Sequence, residues 1–132
     1  MPITNLTLLA APTISVTGGT SKAFAPDGTA VNRGIQVSDS SEPDIRTRDI
    51  CVFKNSSGTL QADGKWSKDR RSAKIVSPEV LSDGTQDFPF IEISLVKSPL
   101  HGAAKLAALK EYAVQLLTDT DTATFWNTGA IS

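Results

Sequence analysis

Phe88-Pro89-Phe90-Ile91-Glu92-Ile93-Ser94-Leu95-Val96-Lys97-Ser98-Pro99 decides how this chain folds. Up to Lys97 the apolar side chains recur at every second residue. Ile91, Ile93 and Leu95 share one face of an extended strand, while Phe88, Phe90, Glu92 and Ser94 share the other. Beyond Ser98-Pro99 the period lengthens to about 3.6, and Leu106, Leu109, Ala113, Leu116 and Leu117 form one apolar stripe. Ser98 suits an N-cap and Pro99 the first helical position, so a helix is predicted from there to about Thr118. Asp119 to Thr122 then supplies a turn and new caps. Ala123 to Asn127 forms a short second helix that stops before Gly129.

Upstream of this switch the chain reads as strands and turns. Ile3 to Ala10 and Thr13 to Thr17 are rich in apolar and branched residues, and Gly18-Gly19 turns between segments. After Pro26-Asp27-Gly28, the residues Val31, Ile35 and Val37 alternate with Asn32, Gly34, Gln36 and Ser38, as in a half-buried strand. Further strands are predicted at Ile45 to Lys54, at Lys68 to Val76 and at Thr85 to Lys97. In the second of these Ala73 and Ile75 oppose Lys68, Arg70, Ser72 and Lys74. The first is mixed: Cys51 and Phe53 share a face, but Ile50 and Val52 lie with Arg46, Arg48 and Lys54.

The predicted class is α+β: an N-terminal hairpin (1–28), a main antiparallel sheet (29–97), then a helical hairpin and tail (98–132), all in one domain. A helix of about 20 residues spans only ~30 Å, too little to cover the apolar face of so broad a sheet. A second copy supplying its own helix solves this, so an obligate dimer is expected, with Leu106, Leu109, Ala113 and Leu116 in its interface.

With 132 residues, 39% hydrophobic and 20% charged, the chain has ordinary globular usage and room for one core. Its apolar runs fall far short of the ~20 residues that span a bilayer. No membrane partner is expected, and the N-terminus lacks the basic region of a secretory signal. The net charge of −1 conceals a division. Residues 44–76 carry eight basic and four acidic side chains, while the rest carries five basic and ten acidic ones. Ordinary surface lysines on a solvated strand pair account for that, as does a local surface for an anionic ligand such as nucleic acid.

Enzymatic options are thin. His101 is the only histidine and has no acid spaced to orient it; Cys51 is the only cysteine and sits between apolar neighbours in a strand. Asp119 and Asp121 lack the remaining ligands of a calcium loop and fit helix capping. Gly18-Gly19-Thr20-Ser21-Lys22 lacks the spacing of a phosphate loop. No catalytic set, metal or cofactor is expected.

The whole arrangement resembles the coat proteins of single-stranded RNA bacteriophages, the levivirus-like family. Three stretches carry the resemblance. Asp49-Ile50-Cys51-Val52-Phe53-Lys54-Asn55-Ser56-Ser57 is similar to the family's central strand, and Arg70-Arg71-Ser72-Ala73-Lys74-Ile75-Val76-Ser77-Pro78 to its basic neighbour. Phe90-Ile91-Glu92-Ile93-Ser94-Leu95 resembles the last strand before the helices. The resemblance implies an intertwined dimer with a continuous sheet, whose copies assemble into a quasi-equivalent (T=3) icosahedral shell. It also implies a location in the virion after assembly in the bacterial host cytoplasm. The implied partners are a second copy, single-stranded genomic RNA with a stem-loop whose binding represses replicase translation, and the phage maturation protein. The implied RNA-facing residues are Arg48 and Lys54, then Arg70, Ser72 and Lys74, then Phe88, Phe90 and Glu92. Each phenylalanine fits either a stacked base or the edge of a core. Two departures stand out: the connection from Lys54 to Arg70 is longer than in the family, and Pro78 to Phe88 is shorter. A small dimeric RNA- or DNA-binding regulator that forms no shell is the alternative.

Overall fold

The computed structural model describes residues 6–131. Residues 19–100 form one unit, and residues 6–18 with 101–131 form another.

The first unit is a five-stranded antiparallel sheet. Its strands are β1 (Phe24–Pro26), β2 (Gly34–Asp39), β3 (Ile50–Ser56), β4 (Asp69–Val76) and β7 (Phe90–Lys97), in the order β1-β2-β3-β4-β7. The short β5 (Glu79–Val80) and β6 (Gln86–Asp87) pair separately. The strand predicted over 85–97 is thus two strands, because Pro89 has no N–H for a ladder. β3 starts at Ile50 rather than Ile45. The Asp44 carboxylate accepts the Arg46 N–H (2.9 Å), and the Asp44 carbonyl accepts that of Thr47 (3.2 Å), so residues 44–47 are committed to a turn.

Register fixes the two faces. Ile35, Phe53, Ala73 and Ile93 lie in one row, and Val37, Cys51, Ile75 and Ile91 in the next. This face is apolar, yet Ile75, Ile91 and Ile93 remain 47%, 49% and 50% exposed. Among the described residues no apolar side chain is fully buried. An open apolar face of this extent is what a second layer covers.

Ion pairs hold the sheet's margins. Lys22 Nζ bridges Asp39 (3.2 Å) and Asp49 (2.9 Å), and the Ser77 hydroxyl donates to Asp49. The hydrogen bond that Lys22 donates to Asp49, then the one it donates to Asp39, raises the Lys22 pKa. Asp69, buried, accepts the Gly58 N–H and pairs with Lys97 at 3.1 Å, which pins the 57–68 connection to the sheet. The Gly58 bond, followed by Lys97, holds the Asp69 carboxyl below the usual carboxylate range. A lowered folded-state pKa contributes stability above the unfolded value of about 3.9, lost as pH falls through the folded one. Asp69→Asn is therefore expected to lower the melting temperature at neutral pH. The gap to wild type should close below about pH 4. An equal gap in melts at both pH values would show that the carboxylate's charge is immaterial.

The second unit contains α1 (Ala103–Thr118) and α2 (Thr120–Thr128). Ser98 does not cap α1. Its hydroxyl accepts the Leu100 N–H in a local turn, and the helix starts four residues after Pro99, with Gly102 as N-cap. Asp119 caps α2 by accepting the Asp121 N–H at 2.9 Å, and Gly129 closes it with φ 77°, where glycine has no side-chain clash. The predicted N-terminal hairpin over 1–28 is not what the described residues form. No strand occurs between residues 6 and 23, and β1 pairs with β2 instead; residues 1–5 of that prediction lie outside the described residues. The Leu9 N–H donates to Gln115 Oε1 (2.7 Å) and Gln115 Nε2 donates to the Leu9 carbonyl (2.9 Å). The groups a hairpin partner would take are thus engaged by α1.

Candidate nucleic-acid interface

The opposite face of the sheet is polar, and the strand period makes it so. Lys54, Ser72 and Ser94 lie side by side across β3, β4 and β7. Gln36, Val52, Lys74 and Glu92 form the adjoining row, and Ser56, Arg70 and Val96 another. Two shallow depressions lie on this face. The larger, about 510 Å³, is bounded by Asn32, Gln36, Lys54, Ser72, Lys74 and Glu92. The smaller, about 230 Å³, shares several of these and adds Arg33, Ser56, Arg70 and Ser94.

The charges divide instructively. Lys22, Arg46, Arg71 and Lys97 each have a carboxylate partner. The side chains of Lys54, Arg70 and Lys74 have no ion pair or hydrogen bond among the described residues. Lys74 instead holds its ammonium 4.1 Å from the centre of the Phe90 ring, a cation–π contact that keeps both side chains on the polar face. Unpaired cations in one place, with serine hydroxyls among them and an aromatic ring against Lys74, match the chemistry of a phosphodiester chain with unstacked bases.

Of the eight residues expected here, six come together: Lys54, Arg70, Ser72, Lys74, Phe90 and Glu92. Arg48 does not join them. It precedes β3, and its Nε donates to the Glu42 carbonyl at 3.0 Å, so the turn that displaced the strand start also diverts this guanidinium. Phe88 lies in the link between β6 and β7, 55% exposed and outside either ladder. Gln36 and Ser94, in phase with the others, also reach the face. Asn32 and Arg33 had no signal pointing to them: they lie in a turn, outside the basic segment.

The helix residues expected in an interface are available for one: Leu106 and Ala113 are half-buried, while Leu109 (50%) and Leu116 (38%) are exposed. Cys51 sits in the apolar rows between Val37 and Ile75. Burial, then the Asp49 charge, raises its thiol pKa, opposite to what a nucleophile requires.

No protein-family model and no curated protein matches this sequence. Among solved structures the chain is similar to the virus-like particle of bacteriophage GQ-907, at 34% identity and TM-score 0.92, covering 98% of this chain and 99% of that one. It shares its fold with the virus-like particle of bacteriophage AVE019, at 10% identity and TM-score 0.69, over 97% of this chain and 98% of that one. The virus-like particle of Beihai levi-like virus 21 matches at 11% identity and TM-score 0.59, over 86% and 97% of the two chains.

Proposed function

Since the chain belongs to the coat proteins of the levi-like RNA bacteriophages, we propose that it dimerises, closes into an icosahedral shell and holds single-stranded RNA against its polar sheet face. Its role is that of a capsid protein, structural rather than enzymatic, and its place is the virion. The observation that carries the RNA reading is the gathering of Lys54, Arg70 and Lys74 without carboxylate partners, while the other two basic side chains of the sheet strands, Arg71 and Lys97, pair with Asp69.

Dimerisation draws support from both sides of the sheet's geometry. β7 ends the strand order, so one edge of its eight residues carries unpaired backbone groups. The apolar face beside it needs cover that a second copy's α1 provides through Leu106, Leu109, Ala113 and Leu116. Two copies joined at β7 present one continuous cationic surface. A stem-loop of the genome bound there would repress replicase translation, and the maturation protein would join the same shell, assembled in the host cytoplasm with T=3 symmetry.

Electron microscopy of the protein purified after bacterial expression tests this. Uniform closed particles containing host RNA are the expected result. Discrete dimers at every concentration would favour a regulator that forms no shell, and a monodisperse monomer would refute both.

A further inference from the structure

The turn before β2 holds a bulky residue in a backbone conformation it rarely adopts. Arg33 has φ 58°; Ala11 is the only other described non-glycine residue with positive φ. Three contacts keep it there. The Arg33 carbonyl accepts the Asn55 N–H at 2.9 Å, the Gly34 N–H donates to the Val31 carbonyl at 3.3 Å, and Arg33 Nη1 donates to the Ser56 hydroxyl at 3.1 Å. The turn is jammed against β3 as well, since a Cβ added at Gly34 would collide with the Phe53 carbonyl. A strained arginine held by surrounding structure, where glycine or asparagine would sit relaxed, points to a use for its side chain.

That side chain enters the smaller depression. Arg33, Lys54 and Arg70 all line it, and Ser56, which accepts from Arg33, is the register partner of Arg70. Glu92, the carboxylate in the same lining, forms an ion pair with none of them. Three like charges line one depression, and none forms an ion pair with a carboxylate among the described residues, an arrangement that an external anion relieves.

We propose that Arg33 is a phosphate-binding residue of the RNA site, pre-positioned by its strained turn, with Asn32 beside it facing the adjoining base. This rests on the reading of the polar face as the RNA surface, and extends it to an element outside the basic strands. The guanidinium fork suits a phosphodiester with two oxygens presented together. Holding the arginine in place before binding removes part of the ordering cost that a mobile side chain would carry.

The test uses the full chain below the concentration at which particles form, titrated with a short fluorescent single-stranded RNA over a series of salt concentrations. Arg33→Gly and Arg33→Asn both tolerate positive φ. Each should melt at or above the wild-type temperature while binding about tenfold more weakly, with the salt slope reduced by roughly 0.7. Arg33→Lys should keep the slope and lose part of the affinity. If the glycine and asparagine variants bind with unchanged affinity and slope while Lys54→Ala weakens binding, Arg33 has no such role and the RNA face stands without it. If Lys54→Ala also changes nothing, the RNA face itself is wrong.

Discussion

Ile93→Asp is expected to abolish particles altogether. Ile93 faces Ala73 across the β4–β7 ladder, in the row that continues to Phe53 and Ile35, and half of its surface is open. If a second copy covers this row, an aspartate there is buried without a partner, at a cost of several kcal/mol. Total stabilities of domains are about 5–15 kcal/mol, so one such charge removes a large share. Ser94→Asp, one residue along but on the opposite face, provides the control and should leave the fold and the dimer intact. Leu109→Asp on α1 carries the same expectation as Ile93→Asp, from the other side of the contact. Light scattering after gel filtration reads the outcome. Normal particles from both the Ile93 and Leu109 variants would show that the apolar face is not the buried interface.

The second large effect is on RNA. Replacing Lys54, Arg70 and Lys74 together by alanine should leave the shell's protein contacts intact but deprive it of most of its RNA. At about 0.7 per phosphate on a single strand, the log–log salt slope should fall by roughly 2. The loss should be uniform across RNA sequences, because phosphate contacts carry no base information. Phe90→Ala serves as the contrasting measurement. A stacked base contributes on the order of 1–3 kcal/mol, so affinity for a hairpin should fall with the slope nearly unchanged. Some slope is lost with it to the extent that Phe90 positions the Lys74 ammonium above its ring. RNA content and slope both untouched in the triple variant would move the RNA site away from the sheet.

Much of the site was legible because it depends on a local rule. In a strand, side chains two residues apart share a face whatever the rest of the molecule does, so Arg70, Ser72 and Lys74 had to oppose Ala73 and Ile75. The same rule assigned Phe90, Glu92 and Ser94 against Ile91, Ile93 and Leu95. It failed for Arg48 because the rule holds only inside a strand. Asp44 and Glu42 offered the backbone and the guanidinium nearer partners, and the strand began two residues later. Likewise Ser98 carried the composition of an N-cap but spent its hydroxyl on Leu100.

The sequence by itself determined the order of the long strands of the main sheet and of the two helices, the division of that sheet into an apolar and a cationic face, and the stop of the second helix before Gly129; its start at Thr120 lies three residues before the Ala123 that the sequence predicts. Each of these is set by residues within a few positions of one another, through strand period, helix period, caps and turns. Only the tertiary structure decided where the N-terminal segment goes. Its apolar, branched run would serve equally well in a hairpin, and the choice fell to Gln115, 106 residues from the Leu9 whose N–H it binds. It also decided that Arg33, isolated in the sequence from the basic segment, meets Ser56 beside Arg70. Contacts of that kind depend on which distant groups compete for the same donors and acceptors once the loops have closed. No local period encodes that competition.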